Sequence, residues 1–236
     1  MARTPIWKSI ADTLRDEVAA GHYMPGDKLP TEATMSARFG VNRHTVRHAL
    51  ASLIDEGLMA SRRGSGVFVT SRPTPYALGK RVRFHENLAA AGQKADKQIL
   101  RLETRPADHR EAEELNLHPG ENIHVFEGLS LADNSPIALF LSRFPADLMP
   151  DLPKHLMDNP SITAAMTACG VRDYTRRSTA LTAKRATATQ ALHLNIREGD
   201  PILRSVALNV DETGRPVEFG HTWFAGDRVT LIVDPD

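Results

Sequence analysis

The apolar positions near the start of the chain follow the spacing of an amphipathic helix. Over residues 6–20, the positions that recur every three or four residues are Trp7, Ile10, Leu14 and Val18. Such a stripe predicts a helix that packs one face against a core. The segment YMPGDKLP follows, and its prolines and glycine end the helix because neither residue type continues helical structure well.

Two further helices are predicted next, each with its own start signal. Thr31 is placed to cap the second helix, and Gly40 ends it near Phe39. Asn42 is placed to cap the third helix. The apolar face of this third helix consists of Val46, Leu50, Leu53 and Ile54.

A hairpin and a linker are predicted after these helices. The segment LMASRRGSGVFV predicts two short strands joined at Gly64, Ser65 and Gly66. Helix, short helix, turn, helix and basic hairpin is the order of a winged helix-turn-helix. The segment TSRPTPYAL has two prolines and no apolar period, which indicates a linker. We therefore predict a winged helix-turn-helix domain over 1–70, a linker over 71–78 and a second domain over 79–236.

The second domain contains two stretches with the same order of features. Each stretch runs from a helix end through a glycine, a strand and a turn to a proline and a second strand. The two stretches are EELNLHPGENIHVFEGLSLADNSPIALFLSRF and QALHLNIREGDPILRSVALNVDETGRPVEFGHTWF. The glycine-to-proline intervals, Gly120 to Pro136 and Gly199 to Pro216, are 16 and 17 residues. We interpret this as a duplicated helix and hairpin that build one antiparallel sheet, so the predicted fold class is α+β.

Charge and cysteine content narrow the possible functions. Hydrophobic residues are 41% and charged residues 25% of 236, which excludes a disordered chain. The net charge is zero, but residues 1–72 hold ten Lys/Arg against seven Asp/Glu. Cys169 is the only cysteine, which excludes an intrachain disulfide and favours a reducing, cytoplasmic setting. The start of the chain does not resemble a signal peptide, and no apolar run is long enough for a membrane span, so we expect no membrane partner.

The positive charge is concentrated on the third helix and the hairpin. An isolated pair of such residues would indicate only a solvated surface, but a helix of this length fits the major groove of B-DNA, where side chains near its start reach base edges. Arginine can bind guanine through two hydrogen bonds, and a glycine-rich tip lets the backbone approach the sugar-phosphate chain. The predicted DNA contacts are Thr31, Arg43, His44, Thr45, Arg47, His48, Arg62, Arg63, Gly64, Ser65 and Gly66.

The stretch PGDKLPTEATMSARFGVNRHTVRHALASLIDEGLMASRRGSGVFV resembles the DNA-binding domain of GntR-type regulators, which joins a PG-x-x-LP entry, a G-V-x-R-x-T-V-R-x-A-L helix and a G-x-G wing. The resemblance covers about 65 residues. It implies DNA contacts for Arg43, His44, Thr45, Arg47 and Gly66. Ala33 departs from the pattern because many relatives have a DNA-contacting arginine there, so this contact is absent or replaced here.

The rest of the chain resembles the chorismate-lyase-like effector (UTRA) domain of the HutC branch of that family. The segments that carry this resemblance are RFHENLAAAG, EELNLHPGENI, ADNSPIALFLSRFP, ALHLNIREGDPIL and GRPVEFGHTWFAGDR. Within the branch, VNRHTVR and VRFHENL look most like the phosphonate-metabolism regulators of the PhnF type. The resemblance implies a repressor that binds a double-stranded operator. Because one winged helix presents only a few base contacts, we expect a homodimer assembled through the second domain that binds an inverted repeat.

The resemblance to this branch implies a small anionic effector, a phosphonate or phosphorylated metabolite, where the FHENL helix begins. The position is physically reasonable because the N–H groups at a helix start favour an anion. The candidate effector-binding residues are Arg83, His85, Arg143, Ser161 and Thr163. Sugar-phosphate-binding relatives have arginines before the AD turn, where this chain has Gly128 and Ser130. An amino-sugar phosphate is therefore disfavoured.

Two other classes of function, catalysis and metal binding, have weaker support in the sequence. His85 with Glu86, or His221 near Glu218, could form acid–base pairs, but no nucleophile, metal set or phosphate loop accompanies either pair. The spacing of His109, His118 and His124 suits no metal site on one helix or hairpin. We therefore expect no catalytic residue, metal or cofactor. The alternatives are a HutC-type regulator of histidine or sugar catabolism, and a chorismate-lyase-like enzyme.

Overall fold

The structure is a computed structural model that describes residues 5–24, 26–62, 64–70, 73–81 and 83–233. It divides the chain into two units, Met1–Arg72 and Pro73–Asp236.

The first unit contains the predicted helices and hairpin. Its elements are α1 (Ile6–Ala19), α2 (Glu32–Phe39), α3 (Arg43–Asp55), β1 (Met59–Arg62) and β2 (Gly66–Val69). Two of the predicted caps are confirmed, because the backbone N–H of Thr34 donates to Thr31 Oγ1 and that of Thr45 donates to Asn42 Oδ1. Gly40 ends α2 with a φ of 64°, a left-handed conformation that glycine adopts without strain.

A single core joins the elements of the first unit. Its fully buried side chains include Leu14 from α1, Met35 from α2 and Leu53 from α3. The two strands pair antiparallel, with Met59 opposite Val69. The segment before α2 also joins this hairpin, because the N–H of Leu29 donates to the carbonyl of Val67 at 2.9 Å. The wing is therefore anchored by a third segment that the sequence pattern did not predict.

The second unit contains a sheet with helices on both faces. Its elements are β3 (Thr74–Ala77), α4 (Phe84–Ala90), β4 (Ala95–Pro106), α5 (His109–Leu115), β5 (Asn122–Ala132), β6 (Ser135–Pro145), α6 (Leu152–Asp158), α7 (Ile162–Ala168), β7 (Tyr174–Arg185), α8 (Ala188–Leu194), β8 (Pro201–Asp211), β9 (Pro216–Ala225) and β10 (Val229–Ile232). Over residues 95–225, six strands form one sheet in the order β4-β5-β6-β9-β8-β7. All of its neighbouring strands are antiparallel. The predicted α+β fold class is confirmed.

The predicted duplication corresponds to two matching halves of this sheet. Each half has the order strand, helix, strand, strand, and β6 pairs with β9 where the halves meet. The helices α5 and α8 begin with equivalent capping boxes, and each ends at a left-handed asparagine, Asn116 or Asn195. The repeat is longer than the sequence comparison indicated, because β4 and β7 precede the helices as its first strands.

The linker predicted over 71–78 is wrong for residues 74–77. These residues form β3, which pairs in parallel with β10 at the far end of the chain. Thr74 and Tyr76 are buried, and the Tyr76 ring packs against Phe224 at 5.3 Å. The sequence pattern did not predict this strand because its alternation is short and contains Pro75. The strand that forms its backbone hydrogen bonds, β10, is also far away in sequence.

Successive side chains on a strand point to opposite faces of the sheet, so each face carries every second residue of the central strands. The helices α5 and α8 cover one face, where Leu115 packs with Val125 and Leu194 with Leu139. The other face is covered by α6 and α7, which pack against Phe126 and Phe140. The candidate cavity lies on this second face.

Candidate functional site

The first turn of α3 presents exposed basic side chains. Arg43 and His44 are exposed immediately after the Asn42 cap. The core residues Val46 and Leu50 hold the opposite face of the helix in the first unit. Within the first unit, α3 therefore buries one face and exposes basic side chains at its start.

The other predicted contacts on α2 and α3 have defined neighbours. Arg47 is exposed, and its guanidinium binds Glu32 through two hydrogen bonds, Nε to Oε1 at 3.1 Å and Nη2 to Oε2 at 2.7 Å. The hydroxyl of Thr45 donates to Asn42, while Thr31 serves as the cap of α2. His48 stacks on the ring of Trp7 at 4.2 Å. The local sequence pattern did not predict the contacts with Glu32 and Trp7.

The tip of the wing has the backbone conformation that its glycines permit. Gly64 and Gly66 have φ of 74° and 109°, so a side chain at either position would be strained. The side chain of Lys28 lies across Gly66, since a Cβ added there would be 3.1 Å from Lys28 Cε. Lys28 is a basic wing residue that the sequence pattern did not indicate. The Arg62 side chain and Arg63 lie outside the described residues.

A cavity of about 90 Å³ lies on the sheet face opposite α5 and α8. Three of the five predicted effector residues line it: His85 from α4, and Ser161 and Thr163 at the start of α7. The hydroxyl of Thr163 shares a hydrogen bond of 2.8 Å with that of Tyr174, which also lines the cavity. The structure therefore brings His85 and Ser161, which are 76 positions apart in sequence, to the same cavity.

Arg83 lies beside this cavity rather than in its lining. Its guanidinium stacks over the Tyr174 ring at 4.0 Å, and Nη2 contacts Asp173 at 3.4 Å. The Nη1 atom is buried and has no hydrogen-bond partner among the described residues. Arg83 therefore supports the cavity wall through Tyr174.

Arg143 does not line the cavity. It follows Ser142 on β6, and since Ser142 faces the cavity, Arg143 points to the other face of the sheet. There its Nε donates to the buried carboxylate of Glu111 at 2.6 Å, and Nη1 contacts His221 Nδ1 at 3.0 Å. The prediction that Arg143 binds the effector is corrected accordingly.

Glu111 holds this second cluster together. Burial alone would raise the pKa of its carboxyl group, but hydrogen bonds from Arg105, the Asp108 backbone and Arg143 lower that pKa to about 2. Burial and the neighbouring Arg143 lower the pKa of His221 to about 4. His221 and Glu218 face opposite sides of the sheet, since Glu218 lines the cavity, so they form no acid–base pair.

The charged residues of the cavity were not among the predicted site residues. Lys97 from β4, Arg176 from β7 and Glu218 from β9 all line it. Lys97 lies directly opposite Ser130 in the pairing of β4 with β5. Its ammonium group is 4.3 Å from the centre of the Phe140 ring, and burial lowers its pKa to about 8. These residues lie on strands that are far apart in sequence, so the sequence pattern could not show that they line the same cavity.

The close packing around Gly128 leaves no room for an arginine at this position. A Cβ there would lie 2.4 Å from the carbonyl oxygen of Gln98 and 2.8 Å from Phe140. Lys97, on the neighbouring strand, supplies a cation at this end of the cavity instead.

Among the described residues, no cluster of three or more histidine, cysteine, aspartate or glutamate side chains is placed to bind a metal ion. No described helix is long and apolar enough to cross a membrane.

Two family models match the chain. Residues 90–230 match the UTRA domain, and residues 7–69 match the bacterial regulatory proteins of the gntR family.

Individual relatives match over nearly their whole length. The chain is 30% identical to the mannosyl-D-glycerate transport/metabolism system repressor MngR of Escherichia coli (strain K12), over 98% of this chain and 97% of that protein. It is 31% identical to the probable transcriptional regulator PhnF of the same organism, over 97% and 94%. Among solved structures, PhnF from Mycobacterium smegmatis matches with a TM-score of 0.69 at 23% identity, over 98% of this chain and 99% of that one.

Proposed function

The chain belongs to the GntR family of bacterial regulatory proteins, with a UTRA domain after its winged helix, and on that premise we propose that it represses genes for phosphonate uptake or degradation. The resemblance to the HutC branch and to PhnF-type regulators is confirmed. The chain is a transcriptional regulator and not an enzyme, since the matched family and the full-length relatives are regulators.

The observation that supports the DNA-binding role is the exposed basic start of α3 in the same unit as a glycine-tipped wing. Arg43 and His44 are exposed in the first turn of α3, a position that suits base edges in the major groove. We propose that Arg47 and Thr45, on the same helix, also contact the groove, and that the wing glycines and Lys28 contact the DNA backbone of the same site. We propose that Arg62 and Arg63 add phosphate contacts.

A single winged helix presents few base contacts, so we propose a homodimer on an inverted repeat. Two-fold proteins bind two-fold sites whose halves lie one or more helical turns apart. The UTRA domain is the proposed site of dimerisation, and the proposed setting is the cytoplasm, where the operator lies.

The effector proposed for the cavity is a small anion such as a phosphonate or a phosphorylated metabolite. Lys97 and Arg176 supply positive charge, and the hydroxyls of Ser161 and Thr163 supply hydrogen-bond donors. The proposal of phosphonates is supported by the relationship to PhnF. A second candidate is a regulator of sugar catabolism, because MngR is almost as similar.

Selection of bound duplexes from a random DNA library tests the proposal, because the selection itself identifies the operator. We expect the full chain to enrich an inverted repeat, and affinity for it to fall steeply with salt as phosphate contacts release counterions. The enriched duplex is then titrated with protein in the presence of ethylphosphonate, inorganic phosphate, mannosylglycerate or urocanate. Release by the phosphonate alone supports the proposal, and release by mannosylglycerate or urocanate instead would replace it with the sugar or histidine alternative.

A further inference from the structure

The cavity carries opposite charges on different strands that do not pair with each other. Lys97 lies on β4 and Glu218 on β9, close enough for the carboxylate to favour the charged form of Lys97, but neither forms an ion pair within the part of the chain that the structure describes. From these two unpaired charges we infer that the effector is a zwitterion, whose acidic group binds near Lys97 and whose amino group binds Glu218. The inference rests on the proposed function, since it assigns a ligand class to the same cavity.

The acidic end of the ligand is assigned to Lys97. Its ammonium group is in contact with the Phe140 ring and lies 5.4 Å from the centre of the Phe84 ring. Aromatic faces attract a cation but leave its hydrogen-bond donors unused. Ser130, directly across from Lys97 on β5, is buried and lines the same end of the cavity. An acid group placed there can accept from the ammonium and the hydroxyl together.

The amino end is assigned to Glu218. This carboxylate is 8% exposed, and its oxygens accept one hydrogen bond each, from Ser142 at 2.6 Å and from Asn209 at 2.7 Å. Each oxygen can accept a further bond. Because an unpaired buried carboxylate is costly, a cationic ligand group would stabilise the occupied site.

The backbone beside Glu218 leaves room for that group. Gly220 is the next residue on the same face of β9. Its φ is ordinary, so the backbone conformation does not require a glycine there. A Cβ at this position would lie 3.6 Å from Glu218 Oε1 and 3.7 Å from Ser142 Oγ. The missing side chain therefore keeps open the space beside the carboxylate, in a small adjoining cavity that Glu218 also lines.

The charge balance favours the same ligand class. Lys97 and Arg176 face one carboxylate, Glu218, while burial and the neighbouring Lys97 lower the pKa of His85 and so disfavour a further positive charge there. A phosphonate dianion resembles a phosphate monoester, with a charge of about −1.5 to −2. Adding one ammonium group brings the ligand close to −1, which complements the cavity. A phosphonate without an amine leaves Glu218 unpaired.

Calorimetric titration of the full chain with two ligands of equal size tests the inference. The probes are 2-aminoethylphosphonate and propylphosphonate, in which a methyl group replaces the amine. We expect the amino compound to bind about tenfold more tightly or better, the usual value of a charge-assisted hydrogen bond in a buried site. Equal affinities would overturn the zwitterion inference and leave the proposed phosphonate regulator intact. Failure of both probes to bind would overturn the phosphonate proposal as well.

Two variants assign the ends of the ligand. Glu218→Gln should reduce the preference for the amino compound to less than about threefold while propylphosphonate still binds, which also shows that the variant is folded. Lys97→Gln should weaken both ligands about tenfold or more, whereas Lys94→Gln, at an exposed lysine outside the cavity, should weaken neither. An unchanged preference in Glu218→Gln would overturn the assignment of the amine. If either variant fails to fold, the wild-type comparison still decides the ligand class.

Discussion

At the scale of single residues, α3 carries two arginines that stand in different surroundings. Arg43 is exposed at the start of the helix, while Arg47 is oriented one turn later by Glu32. The pair with Glu32 is solvent-exposed, so it adds little stability. Its effect is to hold the Arg47 guanidinium in one direction. For the proposed contact of Arg47 with DNA, this orientation reduces the side-chain entropy that binding costs.

Replacement of the reading arginines should weaken operator binding. We expect Arg43→Ala and Arg47→Ala each to cost ~1–3 kcal/mol of specific binding, and Arg62→Ala or Arg63→Ala to lower the salt dependence by about one phosphate contact. Titrations of the selected duplex at several salt concentrations measure both quantities. Arg15→Gln is the matched control, since Arg15 pairs with Glu56 beyond the other end of α3. Wild-type affinity in both helix variants would exclude α3 from the groove.

Glu111 is a residue whose charge stabilises the fold. Its replacement by glutamine leaves Arg105 and Arg143 without their carboxylate, which should cost about 2–4 kcal/mol of unfolding free energy, less than for a fully buried pair because Arg105 is partly exposed. Since the folded pKa of about 2 lies below the unfolded value, the stabilisation is complete above about pH 4.3 and is lost as pH falls towards 2. Urea unfolding at pH 7 and pH 3 measures it. If the difference in unfolding free energy between wild type and variant is as large at pH 3 as at pH 7, the ionised Glu111 carboxylate is not the source of the stabilisation.

At the scale of elements, the close approach of β4 to β5 requires a glycine. Gly128→Ala should destabilise the chain by ~1–3 kcal/mol, because the added methyl group overlaps the Gln98 carbonyl and the Phe140 ring. Gly79→Ala is the control, since no atom lies within 4 Å of its Cβ position and its φ is ordinary. Urea unfolding compares the two variants. Equal stability of both would show that the strands move apart freely.

At the scale of the whole molecule, dimerisation is the first prediction. Sedimentation at micromolar concentration should give twice the chain mass of 26.0 kDa, and the selected duplex should bind two chains. A monomer that occupies one half-site with full affinity would exclude the two-fold arrangement.

Coupling between the two sites is the second prediction at this scale. The effector should weaken operator binding by ~1–3 kcal/mol, and the operator should weaken effector binding by the same factor, because linkage is reciprocal. Titrating each ligand in the absence and presence of saturating amounts of the other measures both factors. If the two factors are unequal, the effect on operator binding does not come from coupling between one effector site and one operator site.

The sequence alone determined the features that depend on neighbouring residues. Helix caps such as Asn42, the glycines of the wing and the basic face of α3 are local, because a cap bonds within one turn and a hairpin pairs adjacent strands. Only the tertiary structure decided the pairing of β3 with β10, the placement of Lys97 and Glu218 around one cavity, and the direction of Arg143. Each depends on strand register between segments far apart in sequence, and a shift of one residue would turn every side chain to the other face.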